Sequence, residues 1–120
     1  MHGLLIEYFP NAQILSTANI TKELAESAMR GMCRVHQCYV LHNDVAEQNC
    51  LVVAENRVVW IDFADSETPY TPENCAVRPC TRRDYWGEFQ ETWDFIYLIT
   101  VSTISDTIQA LRINSLMLYL

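Results

Sequence analysis

Apolar residues recur at helical spacing in two parts of this chain. Between residues 19 and 38, Leu24, Ala28, Met32 and Val35, flanked by Ala25, Met29 and Cys33, form a wide stripe that predicts an amphipathic helix. Asn19 or Thr21 can cap its start, and Glu23 and Glu26 suit the positive end of its dipole. From Asp84 onward, Trp86, Phe89, Trp93, Ile96 and Thr100 keep helical spacing, with Glu88, Glu91 and Asp94 on other faces. This predicts a second helix within 84–120 that packs on the first, with residues 104–120 continuing as a shorter one.

Two other stretches read as strands. The β-branched runs at 51–53 and 58–61, joined by the polar turn Ala54-Glu55-Asn56-Arg57, predict a hairpin. Residues 3–9, apolar and aromatic and stopped by Pro10-Asn11, predict a short buried strand within 1–10. Pro69, Pro72 and Pro79, among Ser66, Thr68, Thr71 and Asn74, make 65–83 an irregular connection. The expected class is α+β, mostly helical, in a single domain.

Composition narrows the function classes. Half of the 120 residues are hydrophobic and 19% are charged, the profile of a folded rather than a disordered chain. The net charge of −7 and pI near 4.7 oppose a general nucleic-acid-binding role, so no nucleic-acid partner is expected. Met1-His2-Gly3 lacks the basic start of a signal peptide, and the apolar run at 95–104 is well short of the ~20 residues of a membrane span. An intracellular, cytoplasmic location without a membrane partner is the expectation. Five cysteines, an odd number, argue for reduced thiols. Cys33, His36, Cys38 and His42 invite a zinc reading, but their spacing departs from the usual ligand patterns, and core packing is preferred.

The chemistry concentrates at 40–64, VLHNDVAEQNCLVVAENRVVWIDFA. A hairpin brings its two ends together, so Asp44 and Asn49 before it and Asp62 after it can face one small volume. Two carboxylates and an amide oxygen suit Mg²⁺ carried on a nucleotide, and a carboxylate kept off the metal can accept a proton from an attacking hydroxyl. The alternative is an Asx-rich turn flanking a buried hairpin.

HNDVAEQN followed by IDFA resembles the catalytic and metal-binding loops of the protein-kinase-like superfamily, in which H-R-D, four residues and N precede D-F-G across a hairpin. The likeness covers about half the chain and is closest to divergent kinase-like domains of filamentous fungi. It implies a kinase-like C-lobe with a catalytic-loop hairpin at 40–64, a hinge strand at 1–10 and an activation-segment-like connection at 65–83. It also implies ATP and Mg²⁺ as cofactors, with Asp44 as catalytic base, His42 as the histidine behind the loop, and Asn49 and Asp62 as Mg²⁺ ligands. Ile6 would be the gatekeeper. The backbone around Glu7 and Phe9 would hold the adenine edge, over a floor at Leu51. Thr71-Pro72-Glu73 resembles the A-P-E that closes an activation segment, and Asp84-Tyr85-Trp86 the acid-x-tryptophan that opens the next helix. The acceptor would be a hydroxyl on a protein or a small alcohol.

Asn43, Ala46 and Ala64 depart from that pattern, where arginine, lysine and glycine are usual. No glycine-rich loop or phosphate-binding lysine can be placed: the glycines are Gly3, Gly31 and Gly87, and the only lysine is Lys22. The resemblance therefore implies a truncated product or fragmentary gene, inactive alone. A pseudokinase-like nucleotide-binding or interaction module is the alternative.

Overall fold

A computed structural model describes residues 5–68 and 80–117, with residues 106–108 and 110–117 as backbone only. The elements run β1 (Gln13–Ile14), α1 (Lys22–Gln37), a 3₁₀ turn (Glu47–Asn49), β2 (Cys50–Ala54), β3 (Arg57–Trp60) and α2 (Arg82–Met117). Two helices and a three-stranded antiparallel sheet of order β1-β2-β3 make a small α+β fold.

Helix α1 begins where the Thr21 hydroxyl accepts the Leu24 N–H at 3.1 Å, a cap that contributes about 1 kcal/mol. Leu24, Ala28 and Met32, each a turn apart, are its buried residues. Its end is a reversal in which Tyr39 N donates to His36 O at 2.9 Å and Val40 N to Val35 O at 3.3 Å. Tyr39 takes the left-handed conformation (φ 59°) that such reversals usually give to glycine.

The hairpin forms as its β-branched runs suggest, with Cys50 opposite Trp60 and Leu51 opposite Val59, turning through Glu55-Asn56. The register shifts between Val52 and Ala54. α1 packs on β3, and α2 packs on α1. Leu15, Leu24, Ala28, Met32, Cys50, Val58, Trp60 and Ile96 make one buried cluster. Trp60 closes it, donating its indole N–H to Ala28 O at 2.9 Å, so the ring is buried without an unsatisfied donor.

The N-terminal strand differs from the sequence reading. Residues 5–9 form no strand, and Leu5, Ile6 and Tyr8 are exposed. An apolar run becomes a strand only when a sheet edge receives it. The free edge of β2 is taken instead by Gln13 and Ile14, opposite Val52 and Leu51.

The second helix also differs in its buried face. Glu88, Thr92, Ile96 and Ile99 point inward, while Trp86 and Trp93 are more than half exposed. Thr92 can be buried because its hydroxyl donates to Glu88 O at 2.8 Å. Helix α2 runs unbroken to Met117, where a separate shorter helix was expected from 104. No helix among the described residues is long and apolar enough to cross a membrane.

Candidate functional site

The site is built on the loop between α1 and β2. Leu41 and Glu67 exchange both backbone hydrogen bonds at 2.9 Å, so the segment after the hairpin returns alongside the one before it. Asn43 reinforces this by donating its side-chain amide to Asp65 O at 3.0 Å. The hairpin base closes with Ile61 N donating to Asn49 O at 2.9 Å.

Three consecutive backbone N–H groups in the loop are held by side chains. His42 N donates to Glu88 Oε1 at 2.8 Å, Asn43 N to Glu88 Oε2 at 2.7 Å, and Asp44 N to His42 Nδ1 at 3.3 Å. The last bond makes Nδ1 an acceptor, so the His42 ring proton sits on Nε2 and is donated to Ile61 O at 2.8 Å. His42 is fully buried with both nitrogens used, and its ring lies 4.6 Å from that of Phe63. It positions the loop and has no nitrogen left for substrate.

Asn43 and Asp62 both have positive φ, 64° and 61°. Short polar side chains tolerate this region best among residues with a Cβ, which explains how the turn forms without glycine. Such backbone persists only where neighbours over-determine it, and the bonds to Glu88, Asp65 and Asn49 do so here.

Asp44 and Asn49 are in direct contact. Asn49 Nδ2 donates to Asp44 Oδ2 at 2.8 Å and to Asp44 O at 3.0 Å. With its amide protons engaged, Asn49 leaves Oδ1 as the atom available to a ligand. Asp62 is exposed, and its Oδ1 accepts Ala64 N at 3.2 Å. It follows Ile61, whose N–H is bonded to Asn49, so backbone pairing ties it to the Asp44–Asn49 pair. No group of three His, Cys, Asp or Glu side chains gathers to hold a metal among the described residues. Asp44, Asn49 and Asp62 offer two carboxylates and one amide oxygen, the hard type of donor that Mg²⁺ takes.

The residues expected to hold adenine lie in the segment before β1 and on β2. Glu7 is exposed, Phe9 lies 5.7 Å below the Arg57 guanidinium, and Leu51 is a half-buried residue of β2 opposite Val59 and Ile14. Of the four residues whose types invite a zinc reading, both histidines are engaged elsewhere: His36 Nε2 lies 2.8 Å from Glu88 Oε1, and His42 is used as above. Asp84 caps its own helix, accepting Thr81 N at 2.6 Å and the Thr81 hydroxyl at 2.9 Å. Thr71-Pro72-Glu73 lies outside the described residues.

Glu88 is the residue that sequence reasoning missed. Its carboxylate is buried and receives His36, His42 and Asn43 together. The available signal was a glutamate one turn before Thr92 on the inward face of α2, and the sequence alone does not separate it from Glu91. Beside it a concavity of about 680 Å³, lined by Asn43, Glu67, Arg83, Asp84, Glu88 and Glu91 among others, sets four carboxylates against one arginine. Such a lining disfavours phosphate on that side of the loop. Compared with known families, curated proteins and solved structures, the chain matches none.

Proposed function

We propose that this chain is a protein-kinase-like phosphotransferase domain that moves a phosphoryl group from ATP to a hydroxyl. The observation that carries the reading is the Asp44 carboxylate, oriented by the Asn49 amide at 2.8 Å on a loop whose backbone N–H groups at His42, Asn43 and Asp44 are each held by a side chain. A carboxylate held in this way is suited to take the proton of an attacking alcohol as the new P–O bond forms. Asn49 Oδ1 and the Asp62 carboxylate would hold Mg²⁺, which when bound neutralises charge on the phosphates. Asn49 thus has two tasks: its amide protons orient the base and its oxygen faces the ligand. The acceptor is a protein side chain or a small alcohol, and fold class does not choose between them.

A second reading, nucleotide binding without turnover, is favoured by one observation. Lys22, the only lysine, lies exposed at the start of α1, 3.9 Å from Glu26, and cannot cradle a phosphate at Asn49. Binding and transfer separate the two. Mg²⁺-dependent nucleotide binding that weakens in Asn49→Ala and Asp62→Asn supports both. Transfer abolished by Asp44→Asn supports the enzyme alone. Absence of any Mg²⁺-dependent nucleotide binding would overturn both.

A further inference from the structure

A second concavity, of about 440 Å³, opens between α1 and β3. Arg30 and Arg34, one helical turn apart, reach it from α1, and Arg57 reaches it from the start of β3. No aspartate or glutamate among the described residues lines it. This is a chain of 15 acidic and eight basic residues, yet three of the eight meet here. The ion pairs among the described residues are Lys22–Glu26 and His36–Glu88, so no described carboxylate pairs with any of the three arginines. Arg57 is braced from one face by the Phe9 ring, 5.7 Å from the guanidinium carbon, which leaves the edges of its fork open.

A solvated basic face is the plain alternative. It accounts for Arg34, which lies in the last turn of α1 and complements the negative end of the helix dipole. It does not account for Arg30 or Arg57 converging on the same hollow from different elements. Like charges around one concavity repel, and an anion placed between them removes the repulsion.

The rest of the lining defines the anion. Guanidinium forks match the oxygens of a tetrahedral dianion in pairs, whereas a carboxylate has one edge and one charge to share among three arginines. Ser27 Oγ accepts Val58 N at 2.9 Å, so its hydroxyl proton remains to be donated. Val35 is half-buried, while Val58 and Trp60 belong to the buried core, and the Trp60 indole N–H is already spent on Ala28 O.

We propose that this hollow binds a phosphate monoester through its phosphate, held among Arg30, Arg34 and Arg57, with the organic body directed to solvent. The assignment is independent of the phosphotransferase reading, since it needs neither metal nor Asp44. The test is titration of the ¹⁵N-labelled 120-residue protein with phenyl phosphate in EDTA at constant ionic strength, following the Trp60 indole N–H signal. Trp86 and Trp93, on α2 and outside the hollow, serve as internal references. A saturable shift of Trp60 alone is expected, comparable with inorganic phosphate and absent with phenol or chloride. Arg30→Gln and Arg57→Gln, both exposed and on different elements, should each weaken binding about tenfold. No saturable shift, an equal shift with phenol, or binding undiminished in both variants would overturn the site.

Discussion

His36 Nε2 and Glu88 Oε1 lie 2.8 Å apart at a buried junction between α1 and α2. The same carboxylate takes the backbone N–H groups of His42 and Asn43, so one side chain joins both helices to the loop carrying Asp44. Removing it leaves buried donors without partners. Glu88→Ala should lower unfolding free energy by about 3 kcal/mol or more, read by urea denaturation. Glu88→Gln keeps the shape but turns one acceptor into a donor, and should cost less. A loss under about 1 kcal/mol for Glu88→Ala would mean that the junction is not what fixes the loop.

Asp44→Asn should leave the fold intact, because the side chain is only half-buried and its replacement can still accept from Asn49. Any Mg²⁺-dependent phosphate transfer should vanish with it. The 120-residue chain itself is expected to turn over far below the ~1 s⁻¹ at the low end for kinases, because its one lysine, Lys22, is exposed at the start of α1 beside Glu26. A monodisperse preparation reaching that rate with Mg·ATP would sink the expectation.

Alkaline pH should destabilise the fold through Cys50. Burial pushes its thiol up to about 12, from an ordinary value near 9. Between those values the unfolded chain has released its proton while the folded chain has kept it, so stability falls as pH rises. The contribution is intact below pH 9, and about 1 kcal/mol of it should be gone by pH 10. Cys50→Ala should flatten the slope without removing it, because burial also raises Cys80 and Tyr85. Thiol reagents should label exposed Cys38 in the native state and Cys50 only on unfolding.

Tyr39 ends α1 with positive φ although its side chain is largely exposed. Tyr39→Gly should therefore stabilise the chain by about 1 kcal/mol, by relieving the left-handed strain of a residue with a Cβ. Tyr39→Ala keeps the Cβ and should give no such gain. Thermal melts of the pair decide the matter.

The parts legible in the sequence are those set by near neighbours. Leu24, Ala28 and Met32 announce α1, Thr21 caps it, and the two β-branched runs place the hairpin, whose base pairs Ile61, the neighbour of Asp62, with Asn49. The contact between Asp44 and Asn49 follows from a five-residue offset bridged by a 3₁₀ turn. β1 was not legible, because a two-residue strand is defined by the edge it meets and not by its own pattern. The inward face of α2 was misread because Trp86 and Trp93 outweigh Glu88 and Thr92 in any hydrophobic count. Polar residues with internal partners are buried without leaving a periodic trace.

The span between Glu88 and the loop it holds, 45 residues to Asn43 and 46 to His42, has a consequence for how the chain assembles. The hairpin needs only its own turn, and hairpins close in microseconds. Joining Glu88 to the loop closes a far longer ring of chain, whose entropy must be lost before the bonds form. The segment bearing Asp44 is thus expected to be completed last, after the sheet it borders, and to loosen first. Native-state hydrogen exchange should show the His42 and Asn43 amides opening together with the docking face of α2, while those of β2 and β3 stay closed.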